Sequence, residues 1–107
     1  MKADPGAAMP IACSLDAGSL ADRVDEWRAL VATSVVAVDA EPKAVHLVLA
    51  PSEAALVAAV ELAQREKRCC PFFDVALDIG AQQRTLSLRV PDGAEEAMAT
   101  FVAMLTP

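Results

Sequence analysis

Aromatic side chains are scarce in this chain, which has no tyrosine, one tryptophan and three phenylalanines in 107 residues. Without them there is no stacking platform for single-stranded nucleic acid. Basic residues are outnumbered by acidic ones, nine to fifteen, for a formal net charge of −6. Phosphate-backbone partners call for clustered Lys and Arg, so no direct nucleic-acid partner is expected, and the acidity is read as serving solubility. The four glycines are scattered and form no phosphate-cradling loop. The single histidine, His46, argues against a histidine-rich metal site and leaves a Ser-His-Asp triad without redundancy.

Long apolar runs are missing too. Hydrophobic residues make up 55% of the chain, but much of that is Ala and Val set between charges, and no run approaches the ~18 residues of a membrane span. The opening MKADPGAAMP holds a Lys, an Asp and two Pro with no apolar centre, so it does not read as a secretory signal. A cytoplasmic protein with no membrane partner is the expectation. In that reducing compartment three cysteines, an odd number, speak against a disulfide framework. Metal binding, catalysis, redox sensing or plain burial remain for them.

What is present reads as one small α+β domain over residues 10–107, after a flexible tail at 1–9. Pro10-Ile11-Ala12-Cys13-Ser14-Leu15 is short, apolar and alternating, as in a first strand. Asp16 is placed to cap a helix whose apolar stripe is Leu20, Val24, Trp27 and Val31, with Asp22, Arg23, Asp25, Glu26 and Arg28 largely on other faces. Val35–Val38 and Val45–Leu49 read as strands joined by a turn at Glu41-Pro42-Lys43. Ser52 is a good N-cap for a second helix with Leu56, Ala59, Val60 and Ala63 on its stripe, projecting on to Lys67 and Cys70, and Pro71 stops it.

Two more strands follow. Phe73, Val75, Leu77 and Ile79 alternate with polar or small residues, and so do Leu86, Leu88 and Val90 after Gly80-Ala81-Gln82-Gln83. Asp92 to Glu95 has capping-box spacing ahead of a last helix lined by Met98, Phe101, Val102 and Leu105. The order β-α-β-β-α-β-β-α fits a ferredoxin-like split β-α-β sandwich, mostly antiparallel, with helices on one face.

Cys69-Cys70 is the chemically distinctive feature. Adjacent Cα atoms stand about 3.8 Å apart across a trans peptide, below the ~4.4 Å usual for a bridge, so a mutual disulfide is disfavoured. Two thiolates on one tetrahedral ion, at metal–sulfur bonds of ~2.3 Å, stand roughly 3.8 Å apart. That spacing is reachable if the chain leaves the helix between them, as Pro71 requires. In the expected topology the ends of the first strand and the second helix meet at one edge, bringing Cys13 towards the pair. Three thiolates suit Hg(II), Cu(I), Zn(II) or As(III). The negative end of a helix dipole disfavours an autonomous thiolate nucleophile, with Lys67 and Arg68 offsetting part of this. Burial alone also accounts for Cys70, on the apolar stripe, and for Cys13 on its strand. Cys69 sits off the stripe.

Glu66 precedes Cys69 by three residues and shares its helical face, as a hard ligand, a proton carrier or a surface partner of nearby Arg or Lys. His46 reads as a packed or surface strand residue. Asp74 and Asp78 read as solvated, with Asp74 close enough to Cys70 to assist chemistry there. Trp27, Met98 and Met104 fit core stripes.

The stretch Glu66-Lys67-Arg68-Cys69-Cys70-Pro71-Phe72-Phe73 carries a resemblance, together with Ile11-Ala12-Cys13-Ser14-Leu15 and Asp25-Glu26-Trp27-Arg28. Over roughly residues 10–105 the chain resembles a module of actinobacterial heavy-metal genes: the C-terminal extension of some mercury-resistance-type (MerR-like) regulators, and small stand-alone proteins with the same E-x-x-C-C-P-F core. The resemblance implies thiol chemistry with soft metals or metalloids at Glu66, Cys69 and Cys70, and less securely at Cys13. The chain lacks the basic helix-turn-helix of the fused form. The expectation is a soft-metal sensor module or metallochaperone with Cys13, Cys69, Cys70 and Glu66 as the ligand set. A regulator protein or a second copy of the chain is the expected protein partner. The alternatives are a thiol enzyme (a reductase, or a carbon–metal lyase with Asp74 or Glu66 as proton donor) and a dimeric interaction module with structural cysteines.

Overall fold

Apolar residues at helical and two-residue periods dictate three helices and four strands in the computed structural model, which describes residues 17–106, with side chains from residue 20 onward. The elements are α1 (Ala17–Ser34), β1 (Val35–Glu41), β2 (Ala44–Leu49), α2 (Glu53–Cys69), β3 (Asp74–Ile79), β4 (Arg84–Arg89) and α3 (Glu95–Leu105). The tail at 1–9, the strand expected at 10–15 with Cys13, and the Asp16 cap lie outside the described residues. The chain is α+β, and its helix–hairpin–helix–hairpin–helix order fits the expected ferredoxin-like split sandwich.

The sheet order is β1-β2-β4-β3, with every neighbouring pair antiparallel. The first hairpin turns through Pro42 and Lys43, where proline removes an amide donor, and the register of β1 against β2 shifts between Val35 and Ala37. Alternation sorts the two faces of the sheet: Val45, Leu47, Leu49, Leu86 and Leu88 are buried on one, while His46, Val48, Thr85 and Ser87 on the other are half-exposed.

Ser52 caps α2, its hydroxyl accepting the amide of Ala55 at 3.1 Å. Between sheet and helices, Trp27 meets Phe101 edge to face at a centroid distance of 5.1 Å, and Phe73 packs on Phe101 at 5.2 Å.

Several details differ from the sequence expectation, among them the buried face of α2, which carries Ala55, Leu62 and Glu66 in place of the expected Leu56 and Val60. The α1 residues that are buried are Arg23, Trp27, Leu30 and Ser34, so the helix is turned from the expected stripe, and Val24 and Val31 flank it. The capping box does not form: Ala94 is the N-cap of α3 with no side-chain hydrogen bond, and the Asp92 carboxylate pairs instead with Lys43 in the turn just before the neighbouring strand β2. Leu77 and Ile79 alternate as expected yet are exposed, because β3 is an edge strand. The helix α2 leaves an open groove of about 440 Å³ along β3, lined by Val60, Ala63, Lys67, Val75, Leu77 and Leu86 among others.

Candidate functional site

Pro71 cannot continue a helix, so α2 ends at Cys69, and Cys70 takes a non-helical φ of −128° and ψ of 79°. The break is held by two anchors. The Cys70 amide still donates to the Glu66 carbonyl at 2.8 Å, and the Lys67 ammonium donates to the Pro71 and Phe73 carbonyls, each at 2.6 Å. Lys67 and Arg68 also complement the negative end of the helix dipole.

Glu66 is buried, and its Oε1 accepts two hydrogen bonds from α1: Trp27 Nε1 donates at 2.7 Å and Arg23 Nη1 at 3.3 Å. The Arg23 guanidinium is a hub. Its Nη2 lies 3.7 Å from the Cys69 sulfur, and its Nε lies 3.3 Å from Glu26, which Arg65 holds at 2.9 Å from the other side. Desolvation alone would lower the pKa of Arg23, but the Cys69 sulfur and the Glu66 carboxylate outweigh it and hold the group above its ordinary value. A carboxylate and a guanidinium, costly to bury singly, are thus buried as a pair and hydrogen-bonded.

The two adjacent cysteines have different fates. Cys69 is a half-buried free thiol that packs against the core. Cys70 is wholly buried and disulfide-bonded. The two are therefore not bonded to each other, in keeping with the short span between adjacent Cα atoms. The odd cysteine count did not exclude a disulfide at Cys70, since an odd number forbids only the pairing of every thiol.

Of the expected ligand set, Glu66, Cys69 and Cys70 come together at the end of α2, and Cys13 lies outside the described residues. Among the described residues no group of three or more His, Cys, Asp and Glu side chains is arranged to hold a metal ion. Asp74 and Asp78 are exposed on β3. His46 sits on the sheet face opposite the buried leucines, its Nδ1 2.7 Å from the Ser87 hydroxyl and its Nε2 2.9 Å from Glu41, as a half-exposed surface residue does. Arg23 is the site residue that the sequence reading passed over. Its signal is present in the chain, because positions 23, 27, 30 and 34 have helical spacing as regular as that of Leu20, Val24, Trp27 and Val31.

No family model matches the chain, no curated protein matches it, and no solved structure matches it. Among the described residues no helix is long and apolar enough to cross a membrane.

Proposed function

We propose that this protein binds a soft metal or metalloid ion through the thiolates of Cys69 and Cys70, with Cys13 as a third sulfur ligand, as a sensor module or metallochaperone. One observation carries the reading. A free thiol at the last residue of α2 is followed at once by a second, disulfide-bonded sulfur, at a helix end that Lys67 and Pro71 fix in a non-helical turn. Departure from the helix is what lets adjacent side chains turn towards a common ion, and sulfur donors select soft cations. Glu66 and Arg23 hold the site in place: the carboxylate anchors the guanidinium, and the guanidinium lies against Cys69. As oxygen donors to a soft ion, carboxylates rank below the sulfurs.

The test is titration of Hg(II) or Cu(I) into fully reduced protein. Binding tighter than micromolar, lost in the double variant Cys69→Ser/Cys70→Ser, is the expected result. Equal affinity in that variant refutes the proposal.

A second reading, thiol–disulfide exchange with a protein or small-molecule partner, draws on the juxtaposition of free Cys69 and disulfide-bonded Cys70. It predicts turnover of a disulfide substrate by catalytic amounts of protein in the presence of a thiol reductant, with no metal required.

A further inference from the structure

We infer that the ion site is gated by the redox state of Cys70, so that the oxidised chain offers Cys69 as the one free thiol among the described residues, where the reduced chain offers Cys69 and Cys70 together with the second sulfur released from the disulfide. The inference rests on the proposed function and specifies how that site is regulated. A soft ion needs two deprotonated sulfurs within reach, and a disulfide sulfur carries no ionisable proton and donates weakly. With Cys70 bonded, Cys69 is left as the free thiol of the described residues.

Burial makes the gate a stable one. Cys70 is 0% exposed and belongs to the same core cluster as Trp27, Phe73 and Phe101. The turn that carries it is tied down by the two Lys67 hydrogen bonds and by the hydrogen bond from its own amide back to the Glu66 carbonyl. An external thiol reaches a disulfide sulfur only by in-line approach, so a bulky reductant is excluded until this turn loosens. Cys69, half-exposed beside it, is open to solvent reagents while Cys70 is bonded.

The chemistry closes on named reagents. A dithiol reductant, or two molecules of a small thiol, supplies two electrons and two protons. The Cys70 disulfide becomes two protein thiols, and the reductant leaves as a disulfide. The ion then displaces the thiol protons of Cys69 and Cys70, releasing them to solvent. A disulfide such as an oxidised small thiol reverses the first step.

The probe is phenylarsine oxide, a trivalent arsenical that holds firmly only to a pair of nearby thiols. It is added to air-oxidised protein and to protein reduced and freed of reductant, each checked by non-reducing peptide mapping of Cys70. A second thiolate makes the second bond intramolecular, so the reduced form is expected to bind on the order of 100-fold more tightly. Cys69→Ser, a change at a half-buried position, leaves the two thiols released from the disulfide and is expected to bind more weakly than the reduced wild type, though more tightly than the oxidised chain. Equally tight binding by both forms overturns the gate and leaves the binding function standing. Absence of binding by both forms overturns the binding function and the gate with it. Wild-type affinity in reduced Cys69→Ser overturns the assignment of the pair.

Discussion

Replacing Glu66 by alanine tests the buried cluster behind the cysteines most directly. The Arg23 and Glu66 side chains are only 10% and 5% exposed and stand 3.3 Å apart. At an effective dielectric near 20 their attraction is about 5 kcal/mol, before the cost of taking both charges out of water. Truncation removes the attraction, leaves the guanidinium buried and strips the buried Trp27 N–H of its acceptor, which alone costs about 1–3 kcal/mol. Arg23 keeps Glu26 at 3.3 Å, so the losses do not sum, and the expected destabilisation is about 3–5 kcal/mol. Glu66→Gln keeps an acceptor for both donors but not the charge, and is expected to cost about 1–2 kcal/mol. The assay is urea unfolding of both variants under reducing and oxidising conditions, which separates the cluster from the disulfide. In an Arg23→Met background the same Glu66→Ala change is expected to cost less by at least about 1.5 kcal/mol, because no buried cation is then orphaned. A cost below about 1 kcal/mol for Glu66→Ala, with an unchanged m-value, refutes the view that this pair anchors α1 to α2.

Two further perturbations probe contacts elsewhere in the domain. Ser52→Ala deletes the one side-chain cap of α2 and is expected to cost about 1 kcal/mol in thermal or chemical unfolding, whereas Ser52→Asp retains the cap and is near neutral. The Lys43 ammonium holds the Asp92 carboxyl below its ordinary range and is itself held above its own. A depressed folded-state carboxyl stabilises at pH above its unfolded value, and that stability is lost as pH falls through the folded one. A stability–pH profile should therefore lose an acid-side component in Asp92→Asn while staying parallel to wild type at neutral pH, and an NMR titration in which Asp92 follows an unperturbed aspartate would contradict the pairing.

Much of the fold is local information. The turn at Pro42-Lys43, the Ser52 cap, the stop at Pro71 and the alternation in β2 and β4 each rest on residues a few positions apart, and each appears where the sequence places it. The features that escaped are set by distant partners. Asp92 has the spacing of a cap, but Lys43 takes it from 49 residues away. Leu77 and Ile79 alternate correctly, yet whether that face is covered depends on strand order, since β3 lies at the sheet edge. No period in the chain encodes which strand is last.

Arg23 and Glu66 are the instructive pair, because part of their placement was within reach of the sequence. Residues four apart on a helix share a face. If Cys70 is buried, Glu66 one turn earlier is drawn inward with it, and the buried positions Ala55, Ala59, Leu62, Ala63 and Glu66 follow that rotation of α2 rather than the one running to Lys67. A carboxylate forced into the core then demands a cation and neutral donors, because it cannot be buried alone at acceptable cost. A helix packed against α2 meets that demand when it offers a cation and a neutral donor on one stripe, and Arg23 with Trp27, four residues apart, is such an offer. Scoring α1 by hydrophobicity hides this solution, since arginine counts as a surface residue and the pairing spans 43 positions. The buried cysteine draws in the acid and the acid draws in the base, so the E-x-x-C-C spacing specifies a packing requirement as well as a set of thiols.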